Sequence, residues 1–101
     1  MPKPRFINLT SQASAAVGYF GEKYATFGEL FRDVEFDVAR APEDGDRLFP
    51  DKDQPRGRKS AAAGDPPIHV LIRYSFTSER VHIEDVVVRH VGGRIERYQP
   101  G

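Results

Sequence analysis

Apolar and polar residues alternate along residues 68–88, IHVLIRYSFTSERVHIEDVVV, and that period of two predicts two long β-strands folded about Ser78-Glu79. A two-residue turn there sets Phe76 against Val81, Tyr74 against Ile83, Ile72 against Asp85 and Val70 against Val87. The opposite face then pairs Ser75 with His82, Arg73 with Glu84 and Leu71 with Val86. Arg73 and Glu84 carry opposite charges, a cross-strand contact worth about 0.2 to 1 kcal/mol. Neither Asn-Gly nor Asp-Gly is present, so a longer turn stays open. Asp85 breaks the apolar face. A bulge near Glu84-Asp85 that turns the carboxylate outward is the simpler expectation, and a buried functional acid the sharper one.

Upstream the period changes. Residues 5–9 read as a short strand with Ile7 and Leu9 on one face, and Thr10-Ser11 supplies hydroxyls that cap a helix. Ala13, Ala16, Val17, Phe20, Tyr24 and Phe27 follow at three- and four-residue spacing as one stripe. Gly18 and Gly21 each cost such a helix about 1 kcal/mol, which points to close packing or to an imperfect helix. Thr26-Phe27-Gly28-Glu29 has the form of a capping box opening a second helix. Leu30, Phe31, Val34, Val38 and Ala41 form its buried stripe, Asp33, Glu35, Asp37 and Arg40 its wet side, and Pro42 stops it.

Two helices so close in sequence should form an antiparallel hairpin. Its apolar stripes should cover one sheet face, bringing Val70, Ile72, Tyr74, Phe76, Val81, Ile83 and Val87 onto Phe20, Phe31, Val34 and Val38. Residues 42–67 hold five prolines and three glycines, and only Arg47-Leu48-Phe49 offers a short edge strand. The run QPRGRKSAAAG has nothing to bury, so the loop 50–67 is expected to be mobile, with residues 54–64 its freest part. The fold class expected is α+β in one domain over residues 1–101. An N-terminal strand and a helical hairpin pack on a small antiparallel sheet that ends in a long β-hairpin.

Composition removes several classes of function. At 101 residues, 39% hydrophobic and 11% aromatic, the chain suits one small core, and no apolar run approaches the roughly 18 residues of a membrane span. It has no cysteine, hence no disulfide, cysteine-metal site or cysteine nucleophile. The start MPKPRFINL lacks the apolar core of a signal peptide, which makes a cytoplasmic location the expectation. HExxH, Walker and GxGxxG motifs are absent, and His69, His82 and His90 without cysteine argue against structural zinc. Gly92-Gly93 reads as a turn, not a phosphate cradle. No metal, cofactor or membrane is expected. Net charge is zero, against avid non-specific nucleic-acid binding. Charge is uneven all the same: residues 29–46 carry seven acids against Arg32 and Arg40, and from Arg47 onward ten cations face seven acids. An acidic helix and a basic sheet end, or merely solvated faces, are the two readings.

The order strand, helix, helix, loop, strand, strand with the basic tail RHVGGRIERY resembles the RelE/ParE toxin superfamily, and the resemblance covers most of the chain. Its most specific piece is IRYSFTSERVHIEDVVVRH: Tyr74 matches the family's tyrosine, Ser78-Glu79 its tight acidic turn, and Arg89-His90 its closing basic pair. The resemblance implies a toxin-like component of a bacterial toxin–antitoxin pair. Its partner would be a cognate antitoxin, and its target ribosome-bound mRNA or DNA gyrase. Three departures limit the carry-over. Leu71 stands where messenger-cleaving members commonly place an arginine, the chain is neutral where active members are basic, and the middle strand is poorly represented by Arg47-Leu48-Phe49 or absent. A non-nucleolytic or inactive relative is therefore at least as good an expectation as a nuclease.

A ribonuclease of this kind needs a base for the 2′-hydroxyl, cations for the phosphorane and an acid for the leaving oxygen. Arg89 and His90 are the candidate catalytic residues. Arg56, Arg58, Lys59, Arg94 and Tyr98 are candidates for binding nucleic acid or a partner, Tyr98 by stacking a base. His82 is a further proton carrier, although it also fits a half-exposed strand position. Activity should depend on Arg89, His90 and Arg94 more than on Arg73, which Glu84 faces. A second class of function stays open, a non-enzymatic interaction module that holds a peptide at a sheet edge or helix groove.

Overall fold

At Thr10 the chain passes from strand to helix. The Thr10 hydroxyl oxygen accepts from the Ala13 amide at 3.1 Å, pairing one of the amides that a helix start leaves free. The computed structural model describes residues 4–99. Its elements are β1 (Phe6–Leu9), α1 (Ser11–Lys23), α2 (Phe27–Arg40), a 3-10 turn (Pro42–Asp44), β2 (Asp46–Arg47), β3 (Arg56–Lys59), β4 (Ile68–Phe76), β5 (Arg80–His90) and β6 (Ile95–Arg97). No helix among the described residues is long and apolar enough to cross a membrane.

α1 buries Ala13, Ala16 and Phe20 as its stripe requires. Gly18 and Gly21 lie on its wet side with nothing near, so close packing does not account for them. α2 buries Phe27, Leu30, Phe31, Val34, Val38 and Ala39, while Ala41 is only half-buried. The expected capping box does not form. Thr26 already has helical angles, and its hydroxyl donates instead to the Ala63 carbonyl at 3.4 Å. A capping side chain bonds its own helix from an extended backbone, which Thr26 lacks.

The six strands described make one sheet in the order β1–β5–β4–β3–β2, with β6 also beside β5. The sheet is mixed and not purely antiparallel, because β1 runs parallel to β5. Pairing in the hairpin starts as expected, with Phe76 on Val81, Ser75 on His82 and Tyr74 on Ile83. It closes through Thr77 and Arg80 around the two-residue turn. Glu84 is then skipped, so that Arg73 faces Asp85, Ile72 Val86, Leu71 Val87 and Val70 Val88. The bulge replaces the expected pairs of Ile72, Val70, Arg73 and Leu71. It sends Val86 and Val88, rather than Asp85 and Val87, to the helix side. Arg73 and Glu84 still meet, at 3.3 Å.

The largest departure lies in the proline-rich stretch. Arg56–Lys59 is not an unstructured part of a loop but strand β3, paired with β4 along its whole length. The edge strand beyond it is Asp46–Arg47, and Leu48 and Phe49 fall outside it. Side chains extend the ladder at both ends of β3. The Gln54 amide accepts from Phe76 N at 2.6 Å and donates to Phe76 O at 3.0 Å, and Ser60 Oγ accepts from Val70 N at 2.8 Å.

Both helices lie on one face of this sheet, α1 chiefly over β5 and α2 chiefly over β4. Between them and the sheet sit Phe20, Phe27, Phe31, Val34, Val38, Ile68, Val70, Ile72, Tyr74, Val81, Ile83, Val86 and Val88. Tyr74 is fully buried and donates its hydroxyl to the Pro42 carbonyl at 2.6 Å. Gly45 makes room for it, since a Cβ there would stand 2.0 Å from the Tyr74 oxygen.

Candidate functional site

Among the described residues no helix lies over the other face of the sheet. Cross-strand pairing places Lys59, Leu71, Val87 and Arg97 in one row across β3, β4, β5 and β6. The neighbouring rows are His69, Arg89 and Ile95 on one side, and Gly57, Arg73 and Asp85 on the other. Leu48 folds over Gly57 and closes a groove of 200 Å³ with Leu71, Arg73, Asp85, Val87 and Arg97. Leu48 and Ile95 remain 44% and 49% exposed at the two ends of an aliphatic strip in which Leu71 is half-buried and Val87 buried. Arg73 pairs with Glu84 at 3.3 Å and Arg97 with Asp85 at 3.4 Å. Asp85 Oδ1 also accepts from the Val86 amide, which explains how the bulge holds this carboxylate away from the core. Among the described residues Lys59 and Arg89 have no acidic partner.

A second polar centre lies on the helix side, where the end of α1 meets the end of β5. Glu96 on β6 receives the Tyr24 hydroxyl at 2.5 Å and the Lys23 ammonium, and its Oε1 lies 3.1 Å from His90 Nε2. That ring nitrogen is also 3.1 Å from the Tyr24 oxygen and from Arg94 Nη2. Protonated, Nε2 donates to Glu96; bare, it accepts from Arg94. Burial pushes the Glu96 carboxyl up, but Lys23, Tyr24 and His90 outweigh it and hold it at about 2. Burial and the adjacent carboxylate raise the Tyr24 hydroxyl, and the bond to Glu96 raises Lys23. Gly92 and Gly93, at φ 111° and 112°, form the tight turn that returns β6 to this place. The arrangement fastens β6 to α1 around the Glu96 carboxylate.

The expected site residues are divided among five places. Arg89 and Lys59 stand on the bare face. His90 and Arg94 belong to the Glu96 cluster on the other side, because successive strand residues point to opposite faces. Arg58 reaches Asp37 on α2 at 3.3 Å. Arg56 is buried, and its guanidinium donates to the carbonyls of Glu43, Gly45 and Asp53 and to the Asp53 carboxylate. Tyr98 packs on the core with its ring centre 5.2 Å from that of Tyr19, an anchor for the tail. His82 is half-buried opposite Ser75 on the bare face. Sequence reasoning overlooked Glu96, Lys23 and the polar role of Tyr24. Their only sequence signal was a tyrosine hydroxyl at the end of an apolar stripe. Among the described residues no group of three or more His, Asp or Glu is placed to hold a metal.

Compared with models of known families, with curated proteins and with solved structures, the chain matches none.

Proposed function

We propose that this chain is the toxin-like component of a bacterial toxin–antitoxin pair of the RelE/ParE kind. A cognate antitoxin is its partner, and ribosome-bound mRNA or DNA gyrase its target. The observation that carries this reading is the one-sided build. A strand and two helices precede antiparallel β3, β4 and β5, the helices cover one face, and the cations Lys59, Arg73, Arg89 and Arg97 line the other. The antiparallel pairing of β3 with β4 supports the reading, since the resemblance calls for a strand before the hairpin. On this reading the bare face is the working surface, with Lys59 and Arg89 as its binding residues.

The position of His90, across the sheet from Arg89, favours a toxin that acts by binding over one that cleaves. The same observation supports the second reading, a non-enzymatic interaction module. Tightly controlled expression in a bacterial host tests the proposal. Induction should arrest growth, co-expression of a short neighbouring reading frame should relieve the arrest, and exchanging Lys59 and Arg89 for Ala should abolish it without lowering the melting temperature. Messenger cleavage or altered DNA supercoiling in arrested cells then tells the two targets apart. Unchecked growth at full expression of the folded protein would refute the toxin reading.

A further inference from the structure

A surface that holds single-stranded nucleic acid combines rings on which bases stack with cations free to meet phosphates. The bare face is built otherwise. Its centre is aliphatic, with Leu48, Leu71, Val87 and Ile95, and the described rings on it are engaged or half-buried: Phe6 lies under the Arg80 guanidinium at 5.7 Å, His69 is held by the Ser60 carbonyl at 2.8 Å, and His82 is half-buried opposite Ser75. Two of its four central cations are matched by Glu84 and Asp85, and the Asp85 carboxylate lines the groove itself. A phosphate backbone laid there would meet that carboxylate at close range.

Protein surfaces suit this face better. The aliphatic strip crosses four strands, about 15 Å at the usual strand spacing, and that is the length of about ten helical residues. Neighbouring apolar side chains on one helix face are about 5 to 6 Å apart, close to the step from one strand to the next. Lys59 borders the strip on the β3 side, and Arg89 stands beside Val87 along β5. Covering these two unmatched cations with a neutral apolar surface would strand them, so the covering segment must bring carboxylates. A second copy of the same face would set cation against cation, which disfavours two-fold pairing through it.

We infer that the bare sheet face docks an acidic amphipathic protein segment, its aliphatic side chains on the strip from Leu48 to Ile95 and its Asp or Glu residues on Lys59 and Arg89. The inference rests on the proposed function only in taking this face as the working surface, and it narrows the target class to protein.

The test titrates the intact protein with three labelled probes. They are a helix-forming peptide of about 15 residues with leucines at helical spacing and glutamates beside them, the same peptide with lysine for glutamate, and an oligouridylate of about 12 nucleotides. The glutamate peptide should bind saturably and perturb the amide signals of Leu71, Val87 and Ile95. Its affinity should fall about tenfold in the K59E/R89E double variant and decline with added salt. The lysine peptide and the RNA should not bind. RNA binding to this face as tightly as the glutamate peptide would overturn the inference. Equal binding of the two peptides, indifference to K59E/R89E, or no peptide binding would also overturn it. Leu71→Gln, which leaves the charges in place, should weaken the glutamate peptide as well. Growth arrest reads the earlier proposal separately: arrest together with RNA binding removes only the present inference, and peptide binding without arrest removes only the toxin reading.

Discussion

Exchanging Glu96 for Gln removes the anion on which Lys23, Tyr24 and His90 converge while keeping the shape of the side chain. The carboxyl moves from an ordinary 4.5 to about 2 in the fold. Taken at face value this is worth about 3 kcal/mol, at about 1.4 kcal/mol per pH unit. The Lys23 ammonium is open to water, so the expected loss at neutral pH is about 1 to 2 kcal/mol. The sign follows from the depressed value. The carboxylate stabilises the fold fully above pH 4.5 and loses that contribution as pH falls through about 2. Urea denaturation of the wild type and E96Q at a series of pH values reads the difference directly, and other carboxylates cancel because both proteins carry them. The gap should be widest above pH 5, narrow below it and close near pH 2. A gap that stays constant down to that pH would refute the reasoning, and so would no gap at neutral pH. Tyr24→Phe removes one of the three donors and should reproduce part of the loss with the same pH dependence.

Three further outcomes test the packing. Gly45→Ala puts a methyl group 2.0 Å from the oxygen of a buried, hydrogen-bonded Tyr74, and should cost about 3 kcal/mol by urea denaturation; an unchanged midpoint would show that Tyr74 can yield. Arg56→Met leaves the Glu43 and Gly45 carbonyls and the Asp53 carboxylate without their donor, and should cost about 3 kcal/mol, against less than about 1 for Arg58→Ala. Equal losses in the two arginine variants would contradict the division drawn between them. Ile83→Ala removes a fully buried side chain from the centre of the sheet and should cost about 2 to 5 kcal/mol, measured in the same way.

The elements that carry a period were legible. Alternation along residues 68–88 located β4, β5 and their two-residue turn, and the three- and four-residue stripes located α1 and α2, because burying one face is what holds each of these together. β3 carries no such signal. Arg-Gly-Arg-Lys has no apolar side chain, and its strand state comes from outside itself: the free edge of β4, the Gln54 amide on Phe76, the Ser60 hydroxyl on Val70 and the carbonyls gathered by Arg56. The Thr26 cap failed for a related reason. Its motif is local, but the path of the backbone through the turn between the helices decides whether a hydroxyl can reach its own helix.

The site was less legible than the fold because its composition depends on a single residue. Without the bulge at Glu84, the register would carry Asp85, Val87 and Arg89 toward the helices and Val86, Val88 and His90 toward the bare face. With it, every one of these positions exchanges sides. Val87 and Arg89 reach the face opposite the helices, and His90 swings to Tyr24 and Glu96. The misplaced Asp85 marked the bulge in the sequence, since a carboxylate in an apolar row is costly enough to force a slip. The same slip separates the two members of the Arg89-His90 pair, which look like one basic motif in the sequence. His90 is engaged by Tyr24 and Glu96 on the helix side, whereas Arg89 stands on the opposite face, where the proposed binding would use it.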